Sequence, residues 1–217
     1  MLYCKHVQRR CQIVTTPQSN DVFFKTPFCA QYWREAKKSL KSLRLLVLAA
    51  LLVAGRVAIT GFPIMVGENL KISFGFFLNA LGSLIYGPYV GILTGFATDI
   101  LGVILHPMGP FFPGYTLTAM AGSFVYALFL YRARITVRRI VLCKLCVNLL
   151  VNVGLNCLWS AMLYSKGYLF YLGQSLAKNL LMLPVEIVIL LTFLRIMLPV
   201  LSSAGLTPPQ PTKHIPF

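Results

Sequence analysis

The sequence predicts an all-α integral membrane protein: six transmembrane helices in a compact bundle, with both termini cytoplasmic. Three observations predict it. Hydrophobic residues make up 57% of the 217 positions and charged residues only 12%, against about 25% in an ordinary soluble domain. The mean hydropathy is +0.74, and the apolar residues gather into runs long enough to cross a hydrocarbon core of roughly 30 Å. The basic excess, 20 Lys and Arg against 5 Asp and Glu, clusters beside those runs. That distribution marks cytoplasmic flanks, not a nucleic-acid surface.

Residues 1–36 are polar and irregular, with Arg9, Arg10, Pro17, Lys25 and Pro27. They hold no apolar h-region of a secretory signal, so they read as a loosely ordered cytoplasmic extension. Residues 37–200 form the membrane domain. Lys37, Lys38, Lys41 and Arg44 precede LLVLAALLVAGRVAITGF, so the first helix runs from inside to outside. Ala50, Ala54 and Ala58 recur every four residues on it. Small residues at that spacing let another helix approach closely, or they simply face lipid.

Residues 61–70 form an outer loop. Helix 2 covers about 72–86 and helix 3 about 89–105, meeting at a bare Gly87-Pro88 turn as a membrane hairpin. The loop HPMGPFFPG follows, too apolar for solvent and too broken for helix. Non-helical backbone at membrane depth survives only when protein covers it or it lines a cavity, so this loop reads as the wall or lid of a binding cavity. Helix 4 covers about 114–131. Arg132, Arg134, Arg138 and Arg139 then form a second cytoplasmic cluster. Helix 5 covers about 140–164 and helix 6 about 175–200, with a kink expected at Pro184. The tail, 201–217, carries Pro208, Pro209 and Pro211 and reads as disordered.

An ionisable group at bilayer depth costs at least ~2.5 kcal/mol on insertion scales, so it has a partner or a function. Arg56, Asp99 and Glu186 are such groups. Arg56 and Asp99 lie in the outer halves of helices 1 and 3, where they pair with each other or face a ligand. Glu186, nearer mid-membrane, reads as mainly structural, hydrogen-bonded to Asn or Ser on a neighbouring helix. Helix 5 carries Asn148, Asn152 and Asn156, with Trp159 and Ser160 a turn on. Residues four apart share a face, and an amide ladder turns toward the bundle. For Asn148 and Asn152, interhelical hydrogen bonds and ligand contact remain open; Asn156 and Trp159, level with the broken loops, favour a ligand. Lys178 and Asn179 open helix 6 at the same level, with Lys178 binding ligand or snorkelling to headgroups.

The outer half therefore collects amide, aromatic, cationic and anionic groups, suited to a flat heteroaromatic ligand with an anionic tail. Cys143 and Cys146 form a CxxC inside an apolar run with no accompanying His, so they read as buried thiols and no metal or cofactor is expected. No GxxxxGK[ST], HExxH or GxSxG is present. The chain is expected to be neither an ATPase of the P-loop type nor another enzyme.

Five strings together look familiar: KISFGF, LIYGPYVGILTGFATDILG, PMGPFFPGYTLTA, NCLW and KNLLMLP. Over about residues 40–200 the chain resembles the substrate-binding (S) components of energy-coupling factor (ECF) vitamin transporters, most closely the folate-specific branch. The resemblance implies a six-helix protein of the cell membrane that binds folate from outside and delivers it inward. It also implies a transmembrane coupling subunit and two ATPase subunits as partners. The Ala50, Ala54 and Ala58 face is similar to the family's docking surface for the coupling subunit. Candidate ligand residues are Arg56, Lys71, Phe74, Asp99, Phe112, Asn156, Trp159 and Lys178, offering charge to a glutamate tail, amide or carboxylate to a pterin edge, and rings for stacking. Lys71 stands where the family often has Arg, which keeps the charge but loses the bidentate fork. The long N-terminal extension also departs from the family. The alternatives are an S component for another heteroaromatic vitamin, and a membrane assembly subunit outside transport.

Overall fold

The computed structural model describes residues 14–15, 22–24, 27, 29–61, 64–66, 70–72, 75–106, 111–163 and 168–208. The fold is a helical bundle with two short antiparallel hairpins, β1 (Val14–Thr15) with β2 (Val22–Phe23) and β3 (Ile64–Val66) with β4 (Leu70–Ile72).

The first helix, α1 (Ala30–Ser39), begins inside the 1–36 segment expected to be loosely ordered, and that expectation does not hold for residues 30–36. Tyr32, Ala36 and Ser39 are buried on one face, while Lys37, Lys38 and Lys41 stay exposed. The face is three-to-four periodic, the signature of an amphipathic helix, but too short and too charged to register as an apolar run. Tyr32 donates its hydroxyl to the Ala127 carbonyl at 2.9 Å and meets Phe24, Trp33 and Tyr131 edge-on. Burial pushes the Tyr32 phenol above its ordinary pKa.

Helix α2 (Leu43–Thr60) buries only the stripe Ala49, Val53, Val57. Ala50, Ala54 and Ala58, each one residue further along, are exposed. Helix α3 (Gly75–Leu105) contains the hairpin expected at Gly87-Pro88. Gly87 alone is non-helical inside it, at φ 78° and ψ −169°, a conformation that favours glycine. The chain folds back there: a Cβ at Gly91 would stand 3.7 Å from Ser83 Oγ, whereas eight residues of straight helix span about 12 Å. Tyr86 OH and Thr94 Oγ1, 3.1 Å apart, bridge the two arms.

Helix α4 (Pro113–Leu130) opens with Pro at its first position, where a missing N–H costs nothing. It is the most extensive partner of α3, and Gly95 makes room for the Ala119 carbonyl, 2.8 Å from where a Cβ would lie. The fifth helix, α5 (Val137–Leu163), is capped by Thr136, whose hydroxyl accepts from the Arg139 N–H at 3.3 Å. Its middle, Val147–Leu155, is π-helical. Helix α6 (Tyr168–Ser203) begins earlier than expected and runs through Pro184 and Pro199. The start of the tail is packed, contrary to the expectation of disorder over 201–217. Arg44 Nη2 donates to the Ala204 carbonyl at 2.9 Å, Leu206 packs on the main core, and Thr207 is buried. Residues 209–217 lie outside the described residues.

The main core joins α3, α4, α5 and α6 through Ala80, Leu84, Tyr126, Leu130, Ile140, Cys143, Leu190 and Leu194. Four helices, Leu43–Thr60, Gly75–Leu105, Val137–Leu163 and Tyr171–Ser203, are long and apolar enough to cross a membrane. The six expected segments do not all meet that standard individually. The first arm of α3, residues 75–86, reaches only about 18 Å, and α4 carries Thr116, Thr118 and Ser123 toward the bundle.

Candidate ligand-binding cavity

A cavity of about 480 Å³ opens between α2, α3, α4, α5 and α6. Volume and mixed lining match those of small-molecule sites. Its position follows from the helix directions. The end of α2, the start of the first α3 arm, the end of the second, the start of α4, the end of α5 and the start of α6 supply most of the walls, at one end of the bundle.

Four of the eight candidate ligand residues meet in this cavity: Arg56 from α2, Asp99 from α3, Asn156 from α5 and Lys178 from α6; Asn152, Asn179 and Glu186, also singled out in the sequence, line it too. Arg56 and Asp99 do not pair. The ion pairs among the described residues are Lys38–Glu35, Arg132–Glu35 and Lys144–Glu186. Asp99 instead accepts from the Thr116 hydroxyl at 2.6 Å, which fixes one carboxylate oxygen; among the described residues the other has no hydrogen-bond donor.

Phe112 and Trp159 come together but stand behind the wall. Their ring centroids are 5.7 Å apart, and Gly114 makes room for the indole. The Trp159 indole N–H donates to Thr118 Oγ1 at 3.0 Å, and Thr118 itself lines the cavity. Trp159 therefore reaches the cavity through a threonine. The rings at the wall are Phe76, Tyr115 and Tyr126, and the Tyr115 hydroxyl sits 3.2 Å from Ser160 Oγ. Lys71 lies in β4 opposite Met65. Its side chain, and Phe74 altogether, fall outside the described residues.

At the far end of the cavity sits a network the sequence disclosed only in part. Asn152 donates to Asn148 at 3.2 Å, Asn148 donates to Glu186 Oε2 at 2.8 Å, and Lys144 Nζ stands 3.1 Å from the same oxygen. Lys144 also sits 3.9 Å from the centroid of the Phe76 ring. The expected amide partner of Glu186 is thus Asn148. Lys144 was missed, though the signal was present: it lies four residues before Asn148 and extends the ladder by one turn. Lys144 and Asn148 are essentially fully buried, at 1% and 0% exposure, so ion pair, amide and ring satisfy charges that hydrocarbon cannot. The π segment suits this arrangement, because it widens the turn so that Val147, Val151, Asn152 and Asn156 all line the cavity. Such segments recur at functional sites.

Asn79 was also missed. It lies on the first α3 arm, lines the cavity, and accepts from Ser123 Oγ at 2.8 Å. A lone Asn in KISFGFFLNA was the available signal. Among the described residues no cluster of His, Cys, Asp and Glu could hold a metal.

Residues 44–194 match the family model for the ECF transporter, substrate-specific component. The chain belongs to that family. Two curated relatives, both called folate transporter FolT, bear it out. The one from Clostridium novyi (strain NT) is 27% identical over 151 residues, covering 70% of this chain and 88% of the relative. The one from Leuconostoc mesenteroides subsp. mesenteroides is 31% identical over 151 residues, covering 66% and 80%. A crystal structure of FolT bound with folic acid superposes with a TM-score of 0.60 at 29% identity, covering 67% of this chain and 88% of that one. As a substrate-specific component, the chain is a multi-pass membrane protein of transport, not an enzyme. The family match ends at Arg44 on the N-terminal side, so α1 lies outside it.

Proposed function

We propose that this chain is the folate-binding subunit of an ECF importer, taking folate into the 480 Å³ cavity from outside and delivering it inward with an ATP-driven module. The observation that carries this is the likeness to a folic-acid-bound relative over 88% of its length, together with a cavity whose polar groups suit the ligand. Asp99 and Asn156 supply acceptor and amide to a pterin edge. Arg56 and Lys178 supply charge to the glutamate carboxylates. Tyr115 offers a stacking face, with Phe112 and Trp159 behind it. Lys71, a residue of β4, and Phe74 are further candidates for contact with the same ligand.

The topology is six membrane segments, with the two arms of α3 counted separately and both termini cytoplasmic. Contacts at one end of the bundle support it. Arg44 at the start of α2 meets Ala204 after α6, and Phe24 and Glu35 meet Arg132 after α4. Each pair requires an even number of crossings between its members, and both bring basic clusters to the same end. The exposed Ala50, Ala54 and Ala58 stripe docks the coupling subunit, which carries two ATPases.

Titration of the purified chain with folate, read by tryptophan fluorescence, tests the reading. Saturable quenching is expected, because Trp159 touches the wall through Thr118. Binding of a different vitamin with none of folate would overturn it.

A further inference from the structure

A second cavity, about 590 Å³, lies at the opposite, basic end of the bundle. Its walls are Leu128 and Phe129 from the end of α4, Leu142 from α5 and Pro27 from the N-terminal segment. Thr136, Arg138 and Arg139 form its edge. We propose that this cavity binds an anionic phospholipid of the cytoplasmic leaflet, its phosphate on the two arginines and an acyl chain along α5.

Four observations converge on that ligand. The apolar wall continues into lipid: Leu142 is 54% exposed, and Leu145 and Leu149 follow it at 37% each. With Arg138 these occupy positions i, i+4, i+7 and i+11 of one helix, a single face. Among the described residues no carboxylate offsets the cationic edge. Of the described carboxylates, Glu35 pairs with Lys38 and Arg132, Glu186 with Lys144, and Asp99 lies in the other cavity; none lines this one. The edge is also preorganised. Arg139 Nε donates to the Phe129 carbonyl at 2.5 Å, which holds its guanidinium beside the apolar wall and leaves its terminal nitrogens as donors. Finally, Thr136 caps the helix here, so the positive end of the α5 dipole faces the same spot. A free phosphate would use the arginines but leave the apolar wall empty. A zwitterionic lipid would use the wall but bring its own cation to the arginines. An anionic phospholipid uses both, as basic clefts at the cytoplasmic side of helices do.

The test is phospholipid retention by the full chain in detergent micelles, measured by native mass spectrometry against added phosphatidylglycerol, phosphatidylcholine or inorganic phosphate. Phosphatidylglycerol should be retained in preference to the other two. The double variant Arg138→Gln, Arg139→Gln should weaken that retention about tenfold while ligand binding in the other cavity stays unchanged. Should the double variant fail to fold, Leu142→Trp fills the apolar wall, keeps both arginines, and should lower retention as well. Equal retention of phosphatidylcholine, equal binding of phosphate alone, or undiminished phosphatidylglycerol in a folded variant would each overturn the proposal.

Discussion

At the scale of single residues, the proposed function divides the cavity into a ligand end and a structural end. Asn156 and Lys178 line the first, and among the described residues neither the Lys178 ammonium nor the Asn156 amide has a hydrogen-bond partner. Asn156→Ala should weaken folate binding by about 1–3 kcal/mol, because a desolvated pterin edge loses its partner. Lys178→Ala should weaken folate but leave pteroate, which lacks the glutamate, nearly unaffected; isothermal titration with both ligands checks the pair. Glu186 belongs to the second end. Glu186→Ala strands the Lys144 ammonium, 1% exposed, and should cost about 3–5 kcal/mol of stability, read as a fall in thermal midpoint without ligand. A loss of affinity at unchanged stability would instead make Glu186 a ligand contact. Sequence reading found the ladder through its four-residue spacing but stopped one turn short of Lys144. It also gave Trp159 a stacking surface of its own, because spacing along one helix cannot tell a wall residue from the residue behind it.

At the scale of elements, the hairpin and the small-residue stripe were legible and α1 was not. Gly87-Pro88 between two apolar runs has one economical reading, and the left-handed Gly87 with the Ser83–Gly91 approach agrees with it. Gly87→Ala should destabilise the fold by roughly 1–2 kcal/mol from backbone alone. The Tyr131 ring, 3.0 Å from the new Cβ, adds to that. The Ala stripe was legible as a small-residue repeat, but lipid and partner could not be told apart from spacing. Its exposure beside the buried Ala49, Val53, Val57 stripe now makes a sharp experiment possible. Ala54→Leu should abolish uptake in cells and leave folate binding by the isolated chain nearly intact, since a branched side chain blocks close helix approach. Joint loss of binding and uptake would place Ala54 in the internal packing. Helix α1 escaped notice because apolar content was sought in spanning runs, whereas its apolar face is two turns long. Tyr32→Phe should cost about 1 kcal/mol through the lost bond to the Ala127 carbonyl.

At the scale of the whole molecule, composition was enough for membrane class, while the basic clusters give an orientation that labelling tests. Spans are harder to count: in the proposed six-segment topology the short first arm of α3 and the hydroxyl-rich α4 are sheltered by neighbours and need not be apolar all round. Accessibility labelling tests the orientation. Ile135 is buried, at 3% exposure, so the reporter belongs at exposed Arg134. In a background without native cysteines, Arg134→Cys and Lys166→Cys should label from opposite sides of the membrane; same-side labelling would remove the six-segment topology.

Selection of folate by one cavity at the outer end is checked by calorimetric titration of the purified chain with folate, pteroate, biotin and thiamin, for the wild type and for Lys178→Ala. Folate is expected to bind tightest and pteroate more weakly, with biotin and thiamin silent. Lys178→Ala should bring folate down toward pteroate. Wild-type binding of biotin or thiamin with no heat from folate would contradict that selection.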